Sequence, residues 1–184
     1  KPNSEKKIAI YYFKGPGQSA LTAGGMDVVP SLYNLLVRLK NEGYNVSGLP
    51  DSAEKLGKMI QEQGAVFGHY AQGAMENFIA GSNPAIITAS QYDKWATEAL
   101  GEELYADAAA VNGEFPGSYM ATADGNLALA RVRLGNIVLL PQLAAGMGDN
   151  DFETVHGTNM APPHAYIASY LWTQFGFGAD AMIH

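Results

Sequence analysis

The sequence predicts an α/β fold: a mostly parallel sheet with flanking helices and one β-hairpin, in a single domain over residues 1–184. Three observations carry this. "KKIAIYYF" (6–13) is a compact apolar, β-branched and aromatic run behind a charged start, which reads as a buried strand. A glycine-rich loop and a leucine-spaced helix follow it, the strand–loop–helix order of α/β folds. "ADAMIH" (179–184) is a further strand.

The elements follow in order. "KGPGQSALTAGGMD" (14–27) is a loop, dense in glycine. After Asp27 a helix begins: Leu32, Leu35, Leu36 and Leu39 repeat at helical spacing, and Gly43 closes it. "YNV" (44–46) is expected to start a second strand. Asp51 with Glu54 forms a capping-box pattern for another helix, with Leu56, Met59 and Ile60 inward. Between Gly64 and Ser90 only "PAIIT" (84–88) has a clear pattern, that of a strand. "SQYDKWATEALG" (90–101) is a capped helix with Tyr92, Trp95, Ala96 and Ala99 on one face and Gly101 as its stop. "NLALARVRLGNIVLL" (126–140) is two strands joined at Gly135-Asn136, the hairpin. A last helix opens at Pro162-Pro163, where missing amides cost nothing, with Ile167, Leu171 and Phe175 inward.

Composition excludes several classes. The chain has no cysteine, so disulfides, thiolate metal sites and thiol nucleophiles are out. With 18 acidic against 11 basic side chains its formal charge is −7, and no basic patch interrupts this, so nucleic acid is not an expected partner. No apolar run reaches the ~20 residues that span a bilayer, and no signal peptide is visible, so the expected location is cytoplasmic.

The chemistry-bearing residues gather late in the chain. His164 lies in the first turn of the last helix and shares a face with Ile167, Ala168 and Leu171, so it points inward. A helix N-terminus disfavours the imidazolium, and a neutral imidazole either binds metal or hydrogen-bonds in the core. His184 ends a strand, and the carboxyl ends of strands in α/β sheets are where ligands bind. His156 sits among Asp149, Asp151 and Glu153, a cation site or a solvated acidic loop; His69 stands alone. Gly15 and Gly17 open a G-x-G-x-x-A run, but the helix starts about ten residues later, too far for a dinucleotide site. Neither a G-x-S-x-G nor a Walker lysine pattern occurs.

"HGTNMAPPHAYIASY" (156–170) followed by "FGADAMIH" (177–184) resembles the large subunit of ATP-dependent metal chelatases, the cobaltochelatase and magnesium-chelatase type. The interval from His156 to His164 is similar to that of the cobalt type. "IAIYYF", "DVVPSLYNLLVRLKNEGYNV", Trp95 with Leu100 and Gly101 ahead of Pro116-Gly117, and "GNIVLLPQ" extend the resemblance over most of the chain. After this last motif "LAAGMGDND" departs from the family pattern, which leaves cobalt, magnesium or iron and the macrocycle open.

The resemblance implies a divalent metal and a tetrapyrrole as substrates, and a segment of a much longer large subunit. It implies ATP hydrolysed on separate AAA+ partner subunits that act with an adaptor subunit. His164 and His184 are then the expected catalytic and metal-delivering residues. His156, Gln142, Gly15 and Gly17 are expected to border the tetrapyrrole in the same cleft. A second reading is a haem-binding dechelatase relative that removes iron; a third is an α/β scaffold whose histidines are structural.

Overall fold

The structure is a computed structural model that describes residues 1–13, 22–23, 26–66, 72–143 and 161–184. Where the sequence predicts one domain, the chain divides into two compact units, Lys1–Ala65 with Ala130–Gln142 and Gly178–His184, and Val66–Leu129 with Leu143–Phe177.

The first unit holds the mostly parallel sheet. β1 (Ile8–Tyr12) runs parallel to β7 (Ile137–Pro141) on one side and to β8 (Ala181–Ile183) on the other, and β6 (Val132–Leu134) adds antiparallel to β7. A small hairpin, β2 (Thr22–Ala23) and β3 (Met26–Asp27), leads directly into α1 (Val28–Asn41), and α2 (Ala53–Gln63) follows. Ile8, Ile10, Tyr12, Ile137 and Leu139 face Leu32, Leu36, Leu56 and Ile60 in one apolar cluster. Each such side chain contributes roughly 1.5–3 kcal/mol when withdrawn from water. The leucine spacing on α1 thus does what the sequence predicts: Leu32 and Leu36 are buried, while Leu35 and Leu39 pack at the margin.

Two local expectations are corrected here. The cap of α2 is Ser52 rather than Asp51; the Ser52 hydroxyl accepts from the Lys55 amide at 3.3 Å, while Asp51 reaches the Lys55 ammonium at 2.8 Å. Residues 44–46 form no strand. The Asn45 carbonyl instead accepts the Asn136 amide at 2.9 Å, so this stretch docks the β6–β7 turn. Gly135 in that turn has φ +61°, and a Cβ there would lie 2.5 Å from Asn45 Oδ1, so conformation and space both demand glycine.

β8 is set against β1 by Asp180. Its amide donates to the Lys7 carbonyl at 2.7 Å, its carboxylate accepts the Lys7 amide at 2.7 Å, and the Lys1 ammonium sits 2.8 Å away. The hydrogen bond from Lys1 and then that from the Lys7 amide hold the Asp180 carboxyl below its ordinary 3.8. A carboxyl depressed in the folded state adds stability above its unfolded value and loses it as pH falls through the lower folded one. Asp180→Asn is therefore expected to speed amide exchange in residues 181–183 at neutral pH and to remove most of its acid dependence. Equal exchange in the parent and D180N would count against the clamp.

The second unit contains α3 (Gln72–Ser82), β4 (Ala85–Ile87) paired antiparallel with β5 (Leu127–Leu129), α4 (Ala89–Asn112) and α5 (His164–Leu171). Thr88 and Gln91 form a reciprocal capping box at the start of α4. The helix breaks at Gly101 (φ 80°), the expected stop, and resumes to Asn112. α5 runs into a π-helical turn, Trp172–Phe177. There the Trp172 ring lies on Gly176, where a Cβ would meet Trp172 Cδ1 at 2.5 Å, and stacks on Phe177 at 5.7 Å. The buried stripe of this stretch is His164, Ala165, Ala168, Leu171 and Trp172; the expected Ile167 and Phe175 are only half-buried. Among the described residues no helix is long and apolar enough to cross a membrane.

Candidate functional site

In the second unit, α4 supplies the surroundings of His164. Tyr92 lies one turn inside the capping box, fully buried, with Phe115 stacked on it at 4.7 Å and Tyr105 edge-on at 5.7 Å. Its hydroxyl lies 2.9 Å from His164 Nδ1, and His164 Nε2 lies 2.7 Å from the Gly113 carbonyl. A carbonyl only accepts, so Nε2 carries a proton and donates. In the neutral ring Nδ1 is then the acceptor for the Tyr92 hydroxyl. Burial, with Tyr105 adding, pushes the Tyr92 phenol well above its ordinary range, which keeps it a donor. At the far end of α4, the Asn112 amide donates to the carbonyls of Ala161 (3.2 Å) and Pro162 (3.0 Å). The two prolines lack amides, so Asn112 and His164 together tie the entrance of α5 to α4.

This geometry changes the expected part of His164. Both ring nitrogens are engaged within the protein and the residue is 1 % exposed, so binding a metal would require breaking one of these bonds. The arrangement is that of a histidine that organises structure. Tyr92 and the Gly113 carbonyl were missed as its partners: the sequence shows Tyr92 only as one of several residues on an apolar helix face.

In the first unit, the parallel strands β1, β7 and β8 bring their carboxyl ends to one edge. His184 directly follows β8, is exposed, and stacks on Tyr11 of β1 with ring centroids 5.7 Å apart and planes 26° from parallel. Tyr11 itself is buried. Gln142 lies at the same edge, and its amide extends the β1–β7 ladder by donating to the Tyr12 carbonyl at 2.9 Å. This is the edge at which open parallel sheets take ligands. His156, Gly15, Gly17 and His69 lie outside the described residues.

Among the described residues no group of three or more metal-binding side chains converges. A shallow pocket of ≈ 190 Å³ in the second unit is lined by Met75, Glu76, Ile79 and residues 121–124, and none of the expected site residues borders it.

The family model described as CobN/Magnesium Chelatase matches residues 1–184, the whole chain. The chain belongs to the CobN/magnesium chelatase family. It is 30% identical to the magnesium-chelatase H protein of Chlorobaculum parvum over 191 residues, covering 99% of this chain and 13% of that protein. It is 26% identical to the aerobic cobaltochelatase CobN protein of Pseudomonas aeruginosa, covering 100% of this chain and 14% of that one. Among solved structures it resembles the catalytic subunit of cobaltochelatase from Mycobacterium tuberculosis, with a TM-score of 0.74 and 27% identity over 100% of this chain and 15% of that one. The chain thus spans about one seventh of the length of these chelatase-family relatives.

Proposed function

We propose that this chain is part of a cytoplasmic, tetrapyrrole-binding large chelatase subunit that inserts a divalent metal into a corrin or porphyrin ring. ATP is hydrolysed on separate AAA+ subunits working with an adaptor. The observation that carries the reading is the family match over the whole chain. Cobalt is preferred to magnesium because the His156–His164 interval is similar to that of the cobalt type. Within the chain, the exposed His184 at the sheet's carboxyl edge supports a ligand-facing role.

Metal insertion requires a held macrocycle, a base for the pyrrole N–H protons and donors that pass on a dehydrated cation. Imidazoles exchange protons near neutral pH and coordinate divalent metals when neutral. His184 takes this part in the proposal, with the Tyr11 ring fixing its plane; Gln142 and the glycines at 15 and 17 border the macrocycle, as does His156. His164 acts at one remove, by holding the entrance of α5.

The test is titration of the full polypeptide with a free-base porphyrin, followed in the Soret band. Saturable binding is expected, weakened about tenfold in His184→Ala. Absence of binding to the parent would end the tetrapyrrole reading. Equal affinities in parent and H184A would remove His184 from it.

A further inference from the structure

Tyr12 ends β1 on the helix-covered face of the sheet and is 3 % exposed. Its hydroxyl is buried and has no hydrogen-bond partner among the described residues. Such orphaned groups are rare, because an unpaired buried hydroxyl loses its water without recompense. Phenylalanine would fill the same space without that penalty, so the oxygen calls for a separate explanation.

The surroundings say where a partner would come from. The next residue, Phe13, is 49 % exposed, so Tyr12 is the last buried residue of β1 at the sheet's carboxyl end. The oxygen lies against Gly64, which caps α2; a Cβ there would collide with Tyr12 Oη. Gly64 has φ −96°, a conformation open to any residue, so backbone geometry does not require glycine. What requires it is the room taken by the hydroxyl, together with the Ile60 carbonyl 2.5 Å from the same Cβ position. The main chain at the end of α2 is thus one wall against the oxygen. Burial pushes the phenol well above its ordinary range, so it is a donor and not an anion.

We propose that the Tyr12 hydroxyl is a ligand-binding donor that hydrogen-bonds a carboxylate side chain of the tetrapyrrole as it enters at the carboxyl edge of β1. This rests on the tetrapyrrole reading above and names a contact for it. The carboxylate reaches the oxygen past the Gly64 peptide, which lies against it. The parent then keeps an unsatisfied donor in the free state in exchange for a bond in the complex.

Tyr12→Phe in the full polypeptide tests this with two porphyrins, one bearing carboxylates and one with alkyl groups only. The variant is expected to bind the carboxylate porphyrin about tenfold more weakly and the alkyl porphyrin within about twofold of the parent. Its melting temperature without porphyrin is expected to equal or exceed the parent's. Unchanged affinity for the carboxylate porphyrin overturns the proposal, as does an equal loss on both ligands. A lower melting temperature also overturns it, since it would reveal an internal partner for the hydroxyl. If the parent binds neither porphyrin, the tetrapyrrole reading fails and takes the proposal with it, an outcome distinct from binding that Y12F leaves untouched.

Discussion

Replacing His164 with alanine is expected to destabilise the protein by about 3–5 kcal/mol, measured by denaturant unfolding of the parent and variant. Three losses combine. A fully enclosed ring disappears, leaving a cavity beneath Tyr92 and Phe115, both of which meet it edge-on at 5.3 and 6.1 Å. The Tyr92 hydroxyl, 2.9 Å away in the parent, loses its acceptor inside the core. The Gly113 carbonyl loses a donor at 2.7 Å, where its residue (φ +78°) ends α4. Tyr92→Phe removes only the first of the two hydrogen bonds and keeps the ring, so about 1–2 kcal/mol is expected from it. Because the two side chains share one bond, the double variant Y92F/H164A should cost less than the sum of the singles. A loss in H164A below about 1 kcal/mol would show that the network contributes little, and would return His164 to the pool of free metal donors.

How much of this was readable in advance follows from the range over which each signal acts. β1, α1, the β6–β7 hairpin and β8 were legible because their evidence is local: an apolar run, a leucine period, a Gly-Asn turn and an alternating strand. The inward direction of His164 was legible for the same reason. What it touches was not. Tyr92 is 72 residues away, and a tyrosine beside Trp95 and Ala96 looks like core packing whether or not its hydroxyl has work. Period places a side chain on a face but leaves its nitrogens unassigned, which is why a histidine with both nitrogens engaged was expected to hold metal.

The stack of Tyr11 on His184 was concealed differently. Strand parity puts both on one face only once β1 and β8 are known to be parallel neighbours in the register Ile10↔Ile183. Residues 44–46 failed as a strand because their apolar pattern serves one buried valine, while the Asn45 carbonyl goes to a turn amide. The division into two units was hidden because each is assembled from separated stretches of chain.

Gly64→Ala is expected to cost about 2–3 kcal/mol, a large effect for a single methyl group at a helix cap. Ordinarily this substitution at a position with negative φ is neutral or stabilising, because it narrows the unfolded ensemble. Here the added carbon would run into Tyr12 Oη and stand 2.5 Å from the Ile60 carbonyl, so either the tyrosine ring or the last turn of α2 has to shift. Tyr12→Phe removes the nearer of the two obstructions. The cost of G64A should then fall by about 1 kcal/mol in the Y12F background, leaving the part due to the Ile60 carbonyl. Thermal unfolding of the four proteins in this cycle measures that coupling directly. A cost for G64A that is the same with tyrosine or phenylalanine at position 12 would place the strain wholly in the α2 backbone, and Gly64 could no longer be explained by the hydroxyl it accommodates. Coupling of the expected size would instead tie the two residues into one feature: a glycine retained so that a strand can end on a buried oxygen.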